Sequence, residues 1–285
     1  MKASVDSIET FGLVDGPGIR TVIFLNGCNL RCKFCHNPET WRFKDLNYSI
    51  DDIVNKVLRS KPYFKDNGGV TFSGGEPLLQ IDFLNEVCTR LKKEDIHIAL
   101  DTAGVGCGDY KEILSKIDLV LLDIKGIDRE GFINVTQKDF FDKFMEFVKE
   151  LNESNKEVWI RQVIIPGVND NNEYIKELSQ FIKTNIKNVT RVDFLPYHKM
   201  GLEKYEKLGI KCPYQDVIAM DKTKCDKLHE EFMKDFGVNW GPFCLIYLNI
   251  YVTMYKDLEG MHMEEVPLEN DNGSQNMKRP LLGAF

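Results

Sequence analysis

The sequence predicts an α/β protein whose residues 1–238 form one partial (β/α)6 barrel, with residues 239–285 as a C-terminal extension. Three observations predict it. Six apolar, β-branched runs alternate with stretches of helical period, as strands and helices do around a parallel sheet. Nearly every run ends in a residue type that does chemistry, and parallel β/α folds gather their sites at the carboxyl ends of the strands. No repeat and no low-complexity linker divides the chain before about residue 240, so one large domain is the default for 285 residues.

The first run, 20–25, follows the Gly/Pro turn Val14-Asp15-Gly16-Pro17-Gly18 and ends at Asn26-Gly27-Cys28. An amphipathic stretch over 50–60 leads to the second run, 69–73, which ends at Ser73-Gly74-Gly75-Glu76-Pro77. Stretch 81–93 precedes the third run, 97–101, closed by Asp101-Thr102. The fourth, 118–124, ends at Asp123-Ile124-Lys125, and stretch 138–152 separates it from the fifth, 158–165. Arg161 lies inside that otherwise apolar strand; a buried charge needs a partner, which places it in the cavity. Stretch 173–183 and the sixth run, 191–195, complete the pattern, which closes at Pro196-Tyr197-His198. Beyond it, 240–255 is aromatic and β-prone, whereas 258–285 is polar without a clear period and is expected to be partly disordered.

Forty-three per cent of residues are hydrophobic and 28% charged, the balance of a globular protein. A net charge of -7 offers no basic field for nucleic acid. Residues 1–10 lack the apolar run of a secretory signal, and the most apolar later segment, 243–255, is short for a membrane span and is broken by Asn249 and Thr253. The chain reads as cytoplasmic, where its eight cysteines are ligands, reactive groups or buried residues rather than disulfides.

Three of those cysteines, Cys28, Cys32 and Cys35, lie on the loop after the first strand with gaps of three and two residues. Three soft thiolates brought together suit an iron–sulfur cluster or zinc. A cubic four-iron cluster given only three cysteines keeps one iron open for a small ligand, as catalytic metal sites do. Structural zinc with His36 as fourth ligand is the alternative. Gly74-Gly75-Glu76 allows close backbone approach and supplies an acceptor, although alone it is a plausible turn.

The Cys-x3-Cys-x2-Cys spacing with Phe34 before the last cysteine resembles the signature of the radical S-adenosylmethionine superfamily. Glu9-Thr10-Phe11-Gly12, the segment from Val14 to Arg20, Cys35-His36-Asn37-Pro38, Trp41 and Leu195-Pro196-Tyr197-His198 extend the likeness over most of residues 4–237, to the glycyl-radical activases within it. The resemblance implies a [4Fe-4S] cluster on the three cysteines and reductive cleavage of S-adenosylmethionine to methionine and a 5′-deoxyadenosyl radical, which abstracts a glycine Cα hydrogen in a partner. It further implies S-adenosylmethionine contacts from Phe34, Cys35, His36, Gly74, Gly75, Glu76, Asp123, Ile124, Lys125 and His198, with Glu76 or its glycines at the methionine amino group. A monovalent cation is implied at Asp101, Asp123 and the carbonyls of Thr102 and Leu121, where Leu121 replaces the Met of a relative. No cysteine occurs over 41–68, where several activases insert a second cluster-binding segment, so the implied partner is pyruvate formate-lyase, with a flavodoxin or ferredoxin-type electron donor. Activation of another glycyl-radical enzyme, such as anaerobic ribonucleotide reductase, and chemistry on a small molecule are the alternatives.

Overall fold

The computed structural model describes residues 1–237; the extension expected over 239–285 lies outside the described residues. In chain order the elements are β1 (Lys2–Ala3), β2 (Val5–Gly12), β3 (Arg20–Leu25), β4 (Tyr48–Ser49), α1 (Ile50–Phe64), β5 (Gly69–Gly74), α2 (Ile81–Lys92), β6 (His97–Thr102), α3 (Tyr110–Lys116), β7 (Leu119–Asp123), α4 (Arg129–Thr136), α5 (Phe141–Ser154), β8 (Glu157–Ile164), α6 (Asn172–Asn185), β9 (Val189–Pro196), α7 (Leu202–Lys207) and α8 (Lys222–Phe236).

The six expected strands are β3, β5, β6, β7, β8 and β9. They run parallel in chain order, and β2 adds an antiparallel strand beside β3. Because the order never reverses, each crossover moves the chain one strand further the same way, the winding of a barrel rather than of a doubly wound sheet. The barrel is partial, for β2 and β9 are the two ends of the sheet.

Local chemistry sets the helix ends. Ser49 and Asp52 form a reciprocal capping box at the start of α1, and Asp128 and Asn171 cap α4 and α6. The helix expected over 138–152 starts later, at Phe141, because α4 ends on Gln137 in the left-handed region (φ 58°) and the chain must turn before α5. Among the described residues no helix is long and apolar enough to cross a membrane.

Period-two alternation gives the sheet two unlike faces. Val70, Phe72, Ile98, Leu100, Val120, Leu122, Val158 and Ile160 belong to the main core with the helices. The opposite positions hold only two small apolar groups, Val22 with Phe24 and Ala99, Leu119 and Leu121 with Trp159. Interleaved with those are buried polar residues: Arg20, Thr71, Ser73, Asp101 and Arg161. Burying a large apolar side chain stabilises by about 1.5–3 kcal/mol, so polar residues on this inner face give up stability that the outer face keeps. They mark the side on which the site lies.

Candidate active site at the carboxyl ends of the strands

The cysteine loop leaves β3 through Gly27, whose φ of 93° favours glycine and whose added Cβ would come within 2.5 Å of the Phe43 ring. Two segments grip the loop. On one side Gly27 N–H donates to Thr40 O (2.7 Å) and Cys28 N–H to Trp41 O (3.2 Å). On the other, Arg31 N–H donates to Thr136 O (3.0 Å) and Lys33 N–H to Val135 O (2.9 Å), two carbonyls of the last turn of α4 that lack partners within the helix. Gln137, which ends that helix, donates from its side chain to Arg31 O at 2.5 Å.

Cys28, Cys32 and Cys35 are free thiols on this loop. Burial, and then the neighbouring thiols and Glu76, push Cys28 well above its ordinary range; burial pushes Cys32 up to about 12 and raises Cys35. Such thiols become ligands only when a cationic group between them replaces the lost hydration. His36 does not join them. Its ring stacks on His198 with centroids 3.9 Å apart, and its Nε2 donates to His198 O at 2.9 Å, because a carbonyl can only accept. His36 Nδ1 has no partner, but among the described residues no three His, Cys, Asp or Glu side chains form a single-ion site, and three thiols spaced along one loop fit the larger iron–sulfur cluster. Burial, and for His36 also the neighbouring His198, lower His36 to about 3 and His198 to about 4, so both rings are neutral near pH 7.

Gly74-Gly75-Glu76 is built against the base of the loop. A Cβ on Gly74, which has φ 111°, would fall 2.4 Å from Leu25 N and O, and one on Gly75 would fall 2.2 Å from Gly27 O. Gly75 N–H donates to Leu25 O and Glu76 N–H to Gly27 O, both at 2.8 Å. The Glu76 carboxylate is buried and accepts from Thr102 Oγ (2.6 Å), Ala103 N–H (3.0 Å) and Leu78 N–H (3.1 Å). Burial outweighs these bonds and raises it to about 7.

The inner face carries a chain of charges. Ser73 Oγ donates to Asp101 (2.5 Å), Arg161 donates to Asp101 and lies 3.6 Å from Asp123, and Asp123 meets Lys125 Nζ at 3.1 Å. Lys125 Nζ then sits 5.0 Å over the Phe34 ring, which brings its charge to the cysteine loop. Against the opposing effect of burial, Lys125 and Arg161 hold Asp123 below the usual carboxylate range. Arg161 thus has the partner expected of it, and its guanidinium is the positive charge between Asp101 and Asp123, the pair to which the resemblance assigns a cation. Ile124 is buried and its N–H donates to Arg161 O (3.0 Å).

The structure therefore brings together Cys28, Cys32, Cys35, Phe34, Glu76, Asp123 and Lys125, with His36 and His198 as a separate stacked pair. Thr102 reaches the site through its hydroxyl on Glu76, and Leu121 through its register opposite Asp101. Sequence reasoning missed Asp15, whose side chain is fully buried with neither oxygen hydrogen-bonded, and the clamp formed by Gln137. No spacing rule singles out either residue; the Gly/Pro turn around Asp15 was the one available signal.

An open β/α barrel that presents three free thiols directly after its first parallel strand defines a class of iron–sulfur enzyme with an open coordination position. The model of the radical SAM superfamily matches residues 22–182. A pyruvate formate-lyase-activating enzyme of Clostridium pasteurianum is 49% identical over 237 residues, covering 81% of this chain and 97% of that protein. Another, from Staphylococcus aureus (strain USA300), is 40% identical over 232 residues, covering 78% of this chain and 91% of that protein. A radical SAM methyltransferase from Sphaerobacter thermophilus shares the fold, with a TM-score of 0.53 at 13% identity, over 76% of this chain and 64% of that one. The chain belongs to the radical SAM superfamily and, within it, to the family of pyruvate formate-lyase-activating enzymes. A [4Fe-4S] cluster and S-adenosylmethionine are the cofactors of that superfamily.

Proposed function

We propose that the protein activates pyruvate formate-lyase under anaerobic conditions by generating a radical on a backbone glycine of that enzyme. The observation that carries the reading is 49% identity across 97% of a relative of that name, with the cysteine triad on the loop directly after the first parallel strand. When bound, the cluster and S-adenosylmethionine supply the radical chemistry that removes a hydrogen atom from the glycine Cα.

The chain's own residues do the rest. Cys28, Cys32 and Cys35 would hold the cluster. Glu76, fixed by three donors, would accept from the methionine ammonium group. Asp123, Ile124 and Lys125 would contact S-adenosylmethionine from the β7 side, and His198, a neutral ring stacked on His36, would lie by its adenosine part. A monovalent cation near the methionine carboxylate would share Asp101 and Asp123 with Arg161. The half-open barrel admits a peptide loop of the partner, and a low-potential flavodoxin or ferredoxin-type protein supplies the electron in the cytoplasm.

The test is anaerobic reconstitution followed by incubation with reductant, S-adenosylmethionine and pyruvate formate-lyase. A glycyl doublet in the electron paramagnetic resonance spectrum is expected. Methionine and deoxyadenosine formed without a doublet would reject this partner and favour another glycyl-radical enzyme or a small molecule. About one zinc and no iron per chain would reject the radical reading. The Cys32→Ala variant, left with two thiols on the loop, is expected to lose the cluster and all cleavage of S-adenosylmethionine.

A further inference from the structure

Trp41 touches the cysteine loop at more points than any ligand role requires. It follows the short turn Pro38–Thr40, and its carbonyl accepts the N–H of Cys28 at 3.2 Å. The Arg31 guanidinium lies 5.0 Å over its ring, while Arg31 Nη1 donates to the carbonyls of Cys28 (2.7 Å) and Leu30 (2.5 Å). Tyr205, buried beneath, meets the ring edge-on at 5.8 Å and 84° and fixes its orientation. One residue thus accepts from the first cysteine of the triad and seats a permanent cation beside the span between Cys28 and Cys32.

We propose that Trp41 is a positioning residue that, together with Arg31, sets the reduction potential of the cluster held by Cys28, Cys32 and Cys35. The inference rests on the reading of the triad as cluster ligands. Adding an electron makes a cluster more negative by one charge, so a nearby N–H donor or cation stabilises the reduced form more than the oxidised one. Arg31, held flat on the indole and tied to the Cys28 carbonyl, keeps its charge at fixed range instead of swinging into water. That fixed charge raises the potential and makes the one-electron reduction easier.

The test measures the potential itself, by a redox titration of the reconstituted full chain followed by electron paramagnetic resonance of the reduced cluster. Trp41→Leu keeps the backbone bond to Cys28 and removes the ring on which Arg31 is seated. Arg31→Gln keeps the indole and removes the cation. With iron and sulfide content equal to wild type, each variant is expected to be about tenfold harder to reduce, a fall of about 59 mV for one electron. A merely structural role would lower cluster content or thermal stability and leave the potential of the remaining clusters in place. An unchanged potential in either variant that carries a full cluster overturns the proposal, as does failure of both variants to bind iron while wild type binds it. A wild-type chain that binds no iron would instead reject the cluster reading on which the inference stands.

Discussion

Asp15 is the residue whose surroundings suit its type least. Its backbone carbonyl accepts from Thr71 Oγ at 2.6 Å, yet its side chain is fully buried with neither carboxylate oxygen hydrogen-bonded. Burial outweighs the attraction of Arg161 and Arg20 and raises the carboxyl from 3.8 to about 7. The sign of the linkage follows: the folded state binds this proton more tightly than the unfolded chain, so Asp15 costs stability progressively as pH rises from about 4 to about 7, and the cost is constant above that. Asp15→Asn removes the titration. The stability advantage of the variant over wild type is expected to grow across that window by about 1.4 kcal/mol per pH unit at most, read by urea unfolding at a series of pH values. A difference that stays flat with pH would show that the carboxyl is not buried as described. Arg161 presents the opposite case, a buried charge with partners. Arg161→Met leaves Asp101 and Asp123 facing each other without it, and is expected to cost about 3–5 kcal/mol. A double variant with Asp101→Asn is expected to recover part of that loss, whereas strictly additive losses would deny the coupling.

At the scale of elements, the turn after β5 shows how the site constrains backbone rather than side chains. Gly75→Ala drives a methyl to within 2.2 Å of the Gly27 carbonyl, and two hydrogen-bonded backbones cannot part without displacing the cysteine loop. The variant is expected to lose more than about 2 kcal/mol of stability and to hold substoichiometric iron, the outcome checked by thermal unfolding and metal analysis. Wild-type loading would mean that the loop has slack the structure does not show. The same elements explain what was legible in the sequence. Strands β3 and β5 through β8 are covered by the helices on one face and by the site on the other, so they read as mainly apolar runs with single polar residues such as Thr71, Asp101 and Arg161 on the site face. Strand β2 is half-exposed along most of its length and its sequence, Val-Asp-Ser-Ile-Glu-Thr-Phe-Gly, carries little alternation; only its register with β3 makes it a strand. The triad was legible because all its members lie within eight residues. The pairing of Arg161 with Asp101 spans sixty positions and becomes visible only when register sets Arg161 beside Asp123. The clamp by α4 was invisible for a similar reason: the helical pattern runs on from 138, and nothing local marks Gln137 as the residue that must turn left-handed to reach Arg31 O.

Among the described residues, the sheet keeps most of its apolar packing on one face and its buried charges on the other. The large apolar core lies between the sheet and the helices and reaches the cysteine loop through Leu30, Cys32 and Phe34, whereas the charge chain and Asp15 lie on the inner face or the rim. The cysteine loop is tied to Thr40, Trp41, Val135 and Thr136 by backbone hydrogen bonds that involve no ligand. A cluster bound only by the folded state adds stability in proportion to the logarithm of its occupancy, yet the core does not depend on it, unlike small domains that are unfolded without their metal. Removal of the cluster from the full chain, by chelation after oxidation, is therefore expected to lower the thermal midpoint while leaving the far-ultraviolet circular dichroism of the barrel in place. The metal-free protein should still unfold cooperatively. Because the thiols return to the protonated state that their buried surroundings favour, the stripped loop should also react slowly with thiol reagents near neutral pH. Collapse of the dichroism on metal removal would place the cluster among the forces that hold the fold, and would move the division of labour from the two faces of the sheet to the loop itself.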